Sequence, residues 1–398
     1  MRAAIPMQKR KGPASDTWPR VRLGEVCKQI RGVSYKPIDA SATLENGYVP
    51  LLRANNISDG IINHDELVYV KRERVLQSQF LQQGDILVCT SSGSLKLVGK
   101  AALVLSAADE SFGAFCRVLR SNSTMSTAYF GHYFQSATYR KTISGKAAGA
   151  NINNIRNEDL DELPIPLPPL AIQRRIAAKL DLLCDIVAKR KNQLSQLNQL
   201  VKSRFVEMFG NVKSSVAIGE RFKTQSGGTP KSSENKFYEN GTIPWLTSGE
   251  VGQGVIRKVD RCITQAGLDN SSAKWTPIDS VLVAMYGATA GKVGLLKIKA
   301  TTNQAVCSIL PAQGMMPEFV YYAVASKTDW MLQQAAGGAQ PNISQGVVRK
   351  MRIPNPPLAL QREFAAFVEK VDKLAFAVRK SLESAEKLYR QQLSEAFA

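Results

Sequence analysis

Residues 165–178 read IPLPPLAIQRRIAA, and residues 353–366 read IPNPPLALQREFAA. The two stretches lie 188 residues apart, and ten of their fourteen positions are identical without a gap. Self-similarity at a fixed period is the sequence signature of a repeated architecture. The chain of 398 residues is therefore predicted to be a tandem duplication with a period near 190.

Weaker matches extend the repeat upstream of these stretches. Asn154 and Ile155 return as Asn342 and Ile343, and VRLGE at 21–25 is answered by VAIGE at 216–220. Between such landmarks the two halves differ in sequence and in loop length. Each half is thus predicted to be a shared scaffold with a divergent surface, followed by one well-matched segment.

The matched segments have the pattern of long helices. After the Pro-Pro pairs at 168–169 and 356–357, neither glycine nor proline occurs until Gly210 in the first segment, and none occurs up to 398 in the second. Apolar residues alternate by four and three along both, which is typical of a coiled-coil seam. An amphipathic helix can also bury such a stripe against its own domain. Residues 169–209 would span about 60 Å as a helix, longer than a small domain, so we expect the two helices to pair with each other, antiparallel.

The remaining segments are predicted to be rich in strands. Short apolar runs at 85–89, 100–105 and 280–284 are bounded by Gly, Ser and Asp, whereas 128–139 and 318–333 have a helical pattern. The predicted fold class is α+β: two α/β domains in a pseudo-twofold arrangement, separated by two long antiparallel coiled-coil helices.

Charge indicates the kind of partner. The chain has 52 Lys and Arg against 33 Asp and Glu, a net +19, which favours a polyanion such as nucleic acid. The excess is spread along the chain, with +6 in 169–213 and +6 in 214–356 but only +1 in 357–398. No apolar run approaches the ~18 residues of a membrane span, and the polar, basic start does not have the pattern of a secretory signal.

Several fragments imitate catalytic motifs without the residues that the chemistry needs. The stretch 287–292 has one residue too few between its glycines for a P-loop, and 355–358 lacks the aromatic residue of the Asn-Pro-Pro-aromatic motif of amino-methyltransferases. The Glu-x-Lys at 234–236 has no identifiable acidic partner. Six cysteines without a CxxC pair, beside only two histidines, argue against zinc and favour buried thiols in a reducing cytoplasm. The sequence therefore gives no support for an enzyme, although a stand-alone nuclease and a coiled-coil scaffold that binds only proteins remain alternatives.

Polar and basic residues in glycine-rich loops are the candidates for contact with duplex DNA. Arg and Lys read guanine, Asn and Gln read adenine, and Ser and Thr reach bases or phosphates. Together with the charge and the duplication, these loops predict a reader of two half-sites. The candidates are Arg53, Asn55, Asn56, Ser91, Ser92, Lys96, Lys100, Thr229, Lys231, Lys236, Thr247, Ser248, Tyr286 and Lys292.

In its duplicated order of motifs the sequence resembles the specificity subunits of type I restriction–modification systems. The resemblance rests on the two boundary motifs with Gln173 and Gln361, on the domain openings Leu23–Glu25 and Ile218–Glu220, and on GGTP at 227–230. It extends over essentially all of 17–398.

The resemblance implies a subunit without catalytic activity that reads a split, asymmetric DNA sequence. Two methyltransferase subunits and restriction subunits would dock on it, and these partners would bind S-adenosylmethionine, ATP and magnesium, so that no cofactor and no metal is expected in this chain. The implied location is the cytoplasm of a bacterium or archaeon. Residues of the boundary implied to contact methyltransferase subunits are Leu170, Gln173, Arg174, Leu358, Gln361 and Arg362.

The same resemblance divides the chain into five parts. The recognition domains would be 17–166 and 213–354, and the spacer helices 167–212 and 355–398. The basic extension 1–16 has no counterpart in the family, so that no role is assigned to it.

Overall fold

A computed structural model describes residues 18–58, 60–94, 96–106, 109–147, 153–335 and 341–398. The predicted basic extension 1–16 lies outside the described residues. Contacts divide the chain into two compact units, unit 1 with residues up to Lys191 and from Lys380 onward, and unit 2 from Asn192 to Arg379.

Among its described residues, unit 1 has short strands and four short α-helices, and the long helix α5 (Leu170–Phe209) contributes its first half to this unit. The strands are β1 (Arg20–Arg22), β2 (Cys27–Arg31), β3 (Ala40–Ser41), β4 (Tyr48–Leu52), β5 (Ile57–Ser58), β6 (Ile61–Ile62), β7 (Val68–Lys71), β8 (Ile86–Cys89), β9 (Ser91–Ser92), β10 (Ala101–Leu103), β11 (Ser111–Phe112), β12 (Cys116–Ser121), β13 (Asn153–Asn154) and β14 (Pro164–Pro166). The helices are α1 (Leu23–Val26), α2 (Thr127–Tyr133), α3 (Ala137–Ala147) and α4 (Asn157–Asp161).

Two four-stranded sheets organise unit 1. One has the order β10-β8-β12-β2 and the other β11-β4-β7-β3, in which β11 runs parallel to β4. Strand β8 is buried on both faces, with Ile86 and Val88 in the core beneath α2 and α3 and with Leu87 and Cys89 in a second core on the opposite face. Burial on both faces is why 85–89 reads as a continuous apolar run rather than as an alternation.

Unit 2 repeats this plan with a five-stranded sheet β16-β24-β21-β22-β18 and a four-stranded sheet β19-β17-β23-β20. Its strands are β15 (Ser215–Ala217), β16 (Thr224–Ser226), β17 (Ile243–Leu246), β18 (Val255–Ile256), β19 (Cys262–Ile263), β20 (Trp275–Thr276), β21 (Val281–Ala284), β22 (Val293–Leu296), β23 (Ala300–Thr302), β24 (Val306–Ile309) and β25 (Arg352–Pro354). Its helices are α6 (Ile218–Arg221), α7 (Ser248–Val251), α8 (Gln265–Asp269), α9 (Pro317–Ala325), α10 (Thr328–Gln333) and α11 (Gln345–Lys350), and α12 (Leu358–Phe397) contributes its residues up to Arg379.

The long helices pair antiparallel within each unit. In unit 1, Lys191 of α5 forms an ion pair with Glu386 of α12 at 3.5 Å, and Leu180 and Phe397 are buried in the same core. In unit 2, Arg204 of α5 contacts Glu363 of α12 at 3.0 Å. The predicted fold class, with its long paired helices, is confirmed. The predicted domain boundaries stay predictions, because the contact pattern assigns half of each long helix to each unit.

Two predicted helices are each broken into two. The helix expected at 128–139 is α2 followed by α3, and the one expected at 318–333 is α9 followed by α10. At the first break the hydroxyl of Ser136 accepts a hydrogen bond from the backbone N–H of Tyr139 at 3.1 Å, which starts a new helix. The apolar pattern does not register the break, because Phe130 and Tyr139 on its two sides are buried in the same core.

Candidate nucleic-acid interface

At one end of unit 2, the parallel strands β17 and β23 end side by side. The backbone N–H of Asn303 donates to the carbonyl of Leu246 at 2.9 Å, and that of Gly228 donates to the carbonyl of Thr302 at 2.9 Å. Gly227 permits this approach, because a Cβ there would lie 1.9 Å from the Thr302 carbonyl oxygen. We call this end the tip of unit 2.

Two loops meet at the tip of unit 2 and carry predicted contacts. The hydroxyl of Thr229 donates to the side-chain oxygen of Gln304 in the turn after β23. Thr247 and Ser248 follow β17, and the Thr247 hydroxyl donates to Glu250 at 3.2 Å, which fixes the start of α7. The polar side chains of these loops are thus held at one end of the unit.

The remaining predicted contacts of unit 2 are basic and aromatic side chains. Lys231 and Lys236 lie 3.7 and 3.5 Å from opposite oxygens of Glu234, and both are about 70% exposed. Helix α7 packs against the turn 287–289, which connects the exposed Tyr286 to the exposed Lys292. Tyr286 and Lys292 thus adjoin the helix that begins at the tip, whereas Lys236 lies near the start of β17, since its carbonyl accepts from the hydroxyl of Thr264 at 2.9 Å.

Unit 1 has an equivalent tip with a different surface. The N–H of Gly113 donates to the carbonyl of Leu52 at 2.9 Å, and the N–H of Val33 donates to the carbonyl of Phe112 at 2.7 Å, which reproduces the bonds of unit 2. A Cβ on Gly32 would lie 2.1 Å from the Gly113 carbonyl, so that Gly32 has the role of Gly227.

These bonds define which predicted residues correspond. Arg53 takes the place of Thr247, since each follows its parallel strand. Ser91 takes the place of Tyr286, since Ser91 pairs with Asn154 as Tyr286 pairs with Asn342. Lys100 and Lys292 correspond in the same way, because their carbonyls accept from the ends of β8 and β21 at 2.9 Å. Ser92 and the exposed Lys96 belong to the loop between Ser91 and Lys100.

Asn56 is unsuited to the predicted DNA contact. Its side chain is fully buried, and its oxygen accepts from the N–H of Arg53 at 2.9 Å while its amide donates to the carbonyl of Asp65 at 2.8 Å. Asn56 thus caps a short turn, as Glu250 does in unit 2, and both of its polar groups are occupied. The neighbouring Asn55 is exposed.

Gln173 and Gln361 are likewise unsuited to contact a partner subunit. Gln173 is fully buried: its oxygen accepts from the N–H of Ser126 at 2.8 Å, and its amide donates to the carbonyls of Thr124 and Pro168 at 3.0 and 2.8 Å. Gln361 repeats this with the N–H of Met316 at 3.0 Å and the carbonyl of Pro356 at 3.0 Å. Each glutamine fastens the start of a long helix to its own unit.

The other four predicted boundary residues point outward. Leu170, Arg174 and Arg362 are exposed, and Leu358 is partly exposed. Their contact with a partner stays a prediction.

A pair of arginines that was not among the predicted contacts lies beside the tip of unit 1. Arg31 and Arg117 are direct partners on neighbouring strands. Burial, and then the positive charge of Arg31, lower the pKa of Arg117, and its Nε atom is buried without a hydrogen-bond partner. Two adjacent guanidinium groups with an unused donor favour an anion. Only the strand register brings them together, so that no local motif could have revealed them.

The acidic, histidine and thiol side chains of the described residues show no metal-binding group, and several thiols have raised pKa values. No group of three or more His, Cys, Asp or Glu side chains that could hold a metal ion occurs among the described residues. Burial raises the pKa of Cys27 and Cys307 to about 12 and that of Cys89 to about 11, as for thiols kept protonated. No described helix is long and apolar enough to cross a membrane.

Comparison with known proteins defines the class to which this fold and these tips belong. The family described as type I restriction modification DNA specificity domain matches the chain twice, over residues 15–199 and 212–385. The chain belongs to this family.

Individual relatives agree with this assignment. The specificity subunit of the type I restriction enzyme StySPI from Salmonella potsdam is 41% identical over 192 residues, which are 48% of this chain and 42% of that protein. The specificity subunit of EcoKI from Escherichia coli is 41% identical over 191 residues, 48% of this chain and 41% of that one. The matches thus span about two fifths of these relatives.

The fold is similar to a solved structure over nearly its whole length. The S subunit of a type I restriction–modification system from M. genitalium covers 99% of this chain and 98% of its own, with a TM-score of 0.57 and 16% identity. At this identity the likeness is one of fold.

Proposed function

We propose that this chain is the DNA sequence-specificity subunit of a type I restriction–modification complex, in which each unit reads one half of a bipartite, asymmetric target. The observation that carries the proposal is the pair of equivalent tips. Their backbones are held by the same hydrogen bonds, whereas their side chains differ, as at Arg53 and Thr247 or Ser91 and Tyr286. One scaffold with two different polar surfaces is suited to two different half-sequences.

The proposed role is non-catalytic. Methyltransferase and restriction subunits would dock on the chain, and they would bind S-adenosylmethionine, ATP and magnesium. The exposed boundary residues Leu170, Arg174, Leu358 and Arg362 are the candidates for methyltransferase contact. Gln173 and Gln361 would act beneath that surface by holding the helix starts in place. Such a complex would work in the cytoplasm of a bacterium or archaeon.

Methylation mapping tests the proposal. Genomic DNA from cells that carry this chain with a cognate methyltransferase subunit is sequenced for methylated adenines. We expect one split sequence with two unlike halves. Replacement of 213–354 by the corresponding segment of another family member should change one half only. Methylation without a consensus, or a change in both halves, would contradict recognition by separate units.

The long helices are proposed to set the distance between the half-sites. Each has 40 residues, about 60 Å at 1.5 Å per residue. Insertion of four residues after Leu194 together with four after Leu382 adds about 6 Å, or roughly two base pairs at ~3.4 Å each. The gap should lengthen while both half-sequences persist. Altered half-sequences with an unchanged gap would refute the spacer role.

A further inference from the structure

A rigid turn at the tip of unit 1 presents an aromatic ring to solvent. Phe115 is 69% exposed. Its backbone is nevertheless fixed, because its carbonyl accepts from the N–H groups of Thr90 and Ser91 at 2.9 and 3.1 Å. The N–H of Cys116 also donates to the carbonyl of Gly113 at 2.8 Å, which closes the turn.

The scaffold does not require this ring. The equivalent turn of unit 2 makes two of these three bonds, from the N–H of Met285 to the carbonyl of Ala305 at 2.8 Å and from the N–H of Val306 to that of Asn303 at 3.2 Å. Alanine therefore suffices to form the turn. Since most of the Phe115 ring lies in water, it adds little to the core.

Unit 2 also presents an exposed aromatic ring beside its turn. In unit 2, however, the ring belongs to the segment that is hydrogen-bonded to the turn and not to the turn itself. Ser91, which donates to the carbonyl of Phe115, corresponds to Tyr286, which is 40% exposed. One unit thus combines Phe115 with Ser91, and the other combines Ala305 with Tyr286. An aromatic ring supplied at one place by two different positions indicates that the ring itself is used.

The neighbouring side chains limit what the ring can contact. Arg53 lies against Gly113 of the same turn, and Ser91 and Ser92 adjoin it, so that the ring is set among groups suited to phosphates and base edges. Phenylalanine has no donor or acceptor. The apolar group that the major groove offers is the 5-methyl group of thymine.

We propose that Phe115 is a specificity-determining residue that contacts the 5-methyl group of a thymine in the half-site of unit 1. This assignment rests on the proposed function and adds to it the base that one residue reads. It also predicts that the thymine preference is separable from the rest of the half-sequence, because the remaining contacts of the tip come from Arg53, Ser91 and their polar neighbours.

Selection from random duplexes tests the assignment. Duplexes bound by the full-length wild-type chain, Phe115→Ala and Leu105→Ala are recovered and sequenced. Leu105 is the matched control, since it is 73% exposed in the same unit but follows β10 at the end of the hairpin away from Ser91. We expect the wild-type chain and Leu105→Ala to select thymine at one position of the consensus. Phe115→Ala should accept any base at that position, with all other positions of the consensus unchanged. An identical consensus for Phe115→Ala would overturn the assignment.

Deoxyuridine identifies the methyl group itself. Replacement of that thymine by deoxyuridine in the selected duplex should weaken wild-type binding about fourfold, the equivalent of one buried methylene, and leave Phe115→Ala unaffected. Wild-type binding that is indifferent to deoxyuridine, with Phe115→Ala still weakened, would show a ring wedged between bases instead and would overturn the methyl contact. Failure of the wild-type chain to select any consensus would refute the proposed function, a result distinct from either.

Discussion

Replacement of Gln173 by alanine should lower the free energy of unfolding of unit 1. The side chain is fully buried and makes three hydrogen bonds, at 2.8, 3.0 and 2.8 Å. Alanine leaves the N–H of Ser126 and the carbonyls of Thr124 and Pro168 without this partner. An orphaned buried group costs about 1–3 kcal/mol, and some of the three regain partners by relaxation, so that we expect a total loss of about 3 kcal/mol in the free energy of unfolding.

Urea unfolding followed by circular dichroism measures this loss. With a slope of about 3 kcal/mol per molar, the transition of unit 1 should move down by about 1 M. Lys189→Ala, an exposed position on the part of α5 that belongs to unit 1, is the control and should shift the midpoint by less than about 0.2 M. Equal shifts for the two variants would refute the buried network.

Gln173→Glu separates the hydrogen bonds from the loss of volume. A carboxylate accepts from Ser126 but faces the carbonyls of Thr124 and Pro168 without a proton to donate. The folded state therefore raises the pKa of the new carboxyl, and stability should be lost as the pH rises above the pKa of about 4.3 of an unfolded glutamate. A variant as stable at pH 8 as at pH 5 would contradict the proposed donor role.

Three further predictions concern other groups. Arg120→Met should lower the free energy of unfolding by about 3–5 kcal/mol in a urea titration, and a loss under 1 kcal/mol would contradict this. The reason is that the carboxylate of Asp85, which is 1% exposed and accepts two 2.8 Å bonds from Arg120, loses its counter-ion. Lys236→Ala should reduce the slope of log affinity for duplex DNA against log salt by about 0.9, whereas Lys350→Ala, at the end of α11, should not; equal slopes for the two variants would exclude a phosphate contact. Burial lowers the pKa of His132 despite its 2.8 Å bond to Asp181, so that stability should fall as the pH drops below about 6.5, the usual pKa of histidine. Urea titrations at pH 5 and 7 measure this dependence, and His132→Gln should abolish it.

The division into two similar units and two long helices could be predicted from the sequence, because it depends on patterns of residues that are close together along the chain. The duplication predicts two similar units, and the glycine-free interval between Pro169 and Gly210 predicts a helix that begins at Leu170 and ends at Phe209. The doubly buried β8 was visible as an apolar run. Such features depend on residues close together along the chain.

The interface was less accessible because it depends on register. Asn56 was predicted to contact DNA and Gln173 to contact a methyltransferase subunit, since both are polar. Both are nevertheless buried and form hydrogen bonds to backbone groups distant in sequence. The pairing of Arg31 with Arg117 and the correspondence of Ser91 with Tyr286 follow from strand alignment, which a single sequence does not reveal. Phe115 was missed because an isolated phenylalanine in a strand-rich segment is typical of a core.

The position of Phe397 has a consequence for biosynthesis. Its ring packs against Tyr129 at 4.8 Å and Tyr133 at 5.7 Å, within the core of unit 1. A ribosome makes all of unit 2 between these tyrosines and that phenylalanine. The apolar surface of nascent unit 1 that α12 covers therefore stays exposed until residues 380–397 have been translated. This interval is roughly ten seconds or more at ~5–20 residues per second. Loss of only the last turns of α12 would therefore leave the core of unit 1 uncovered.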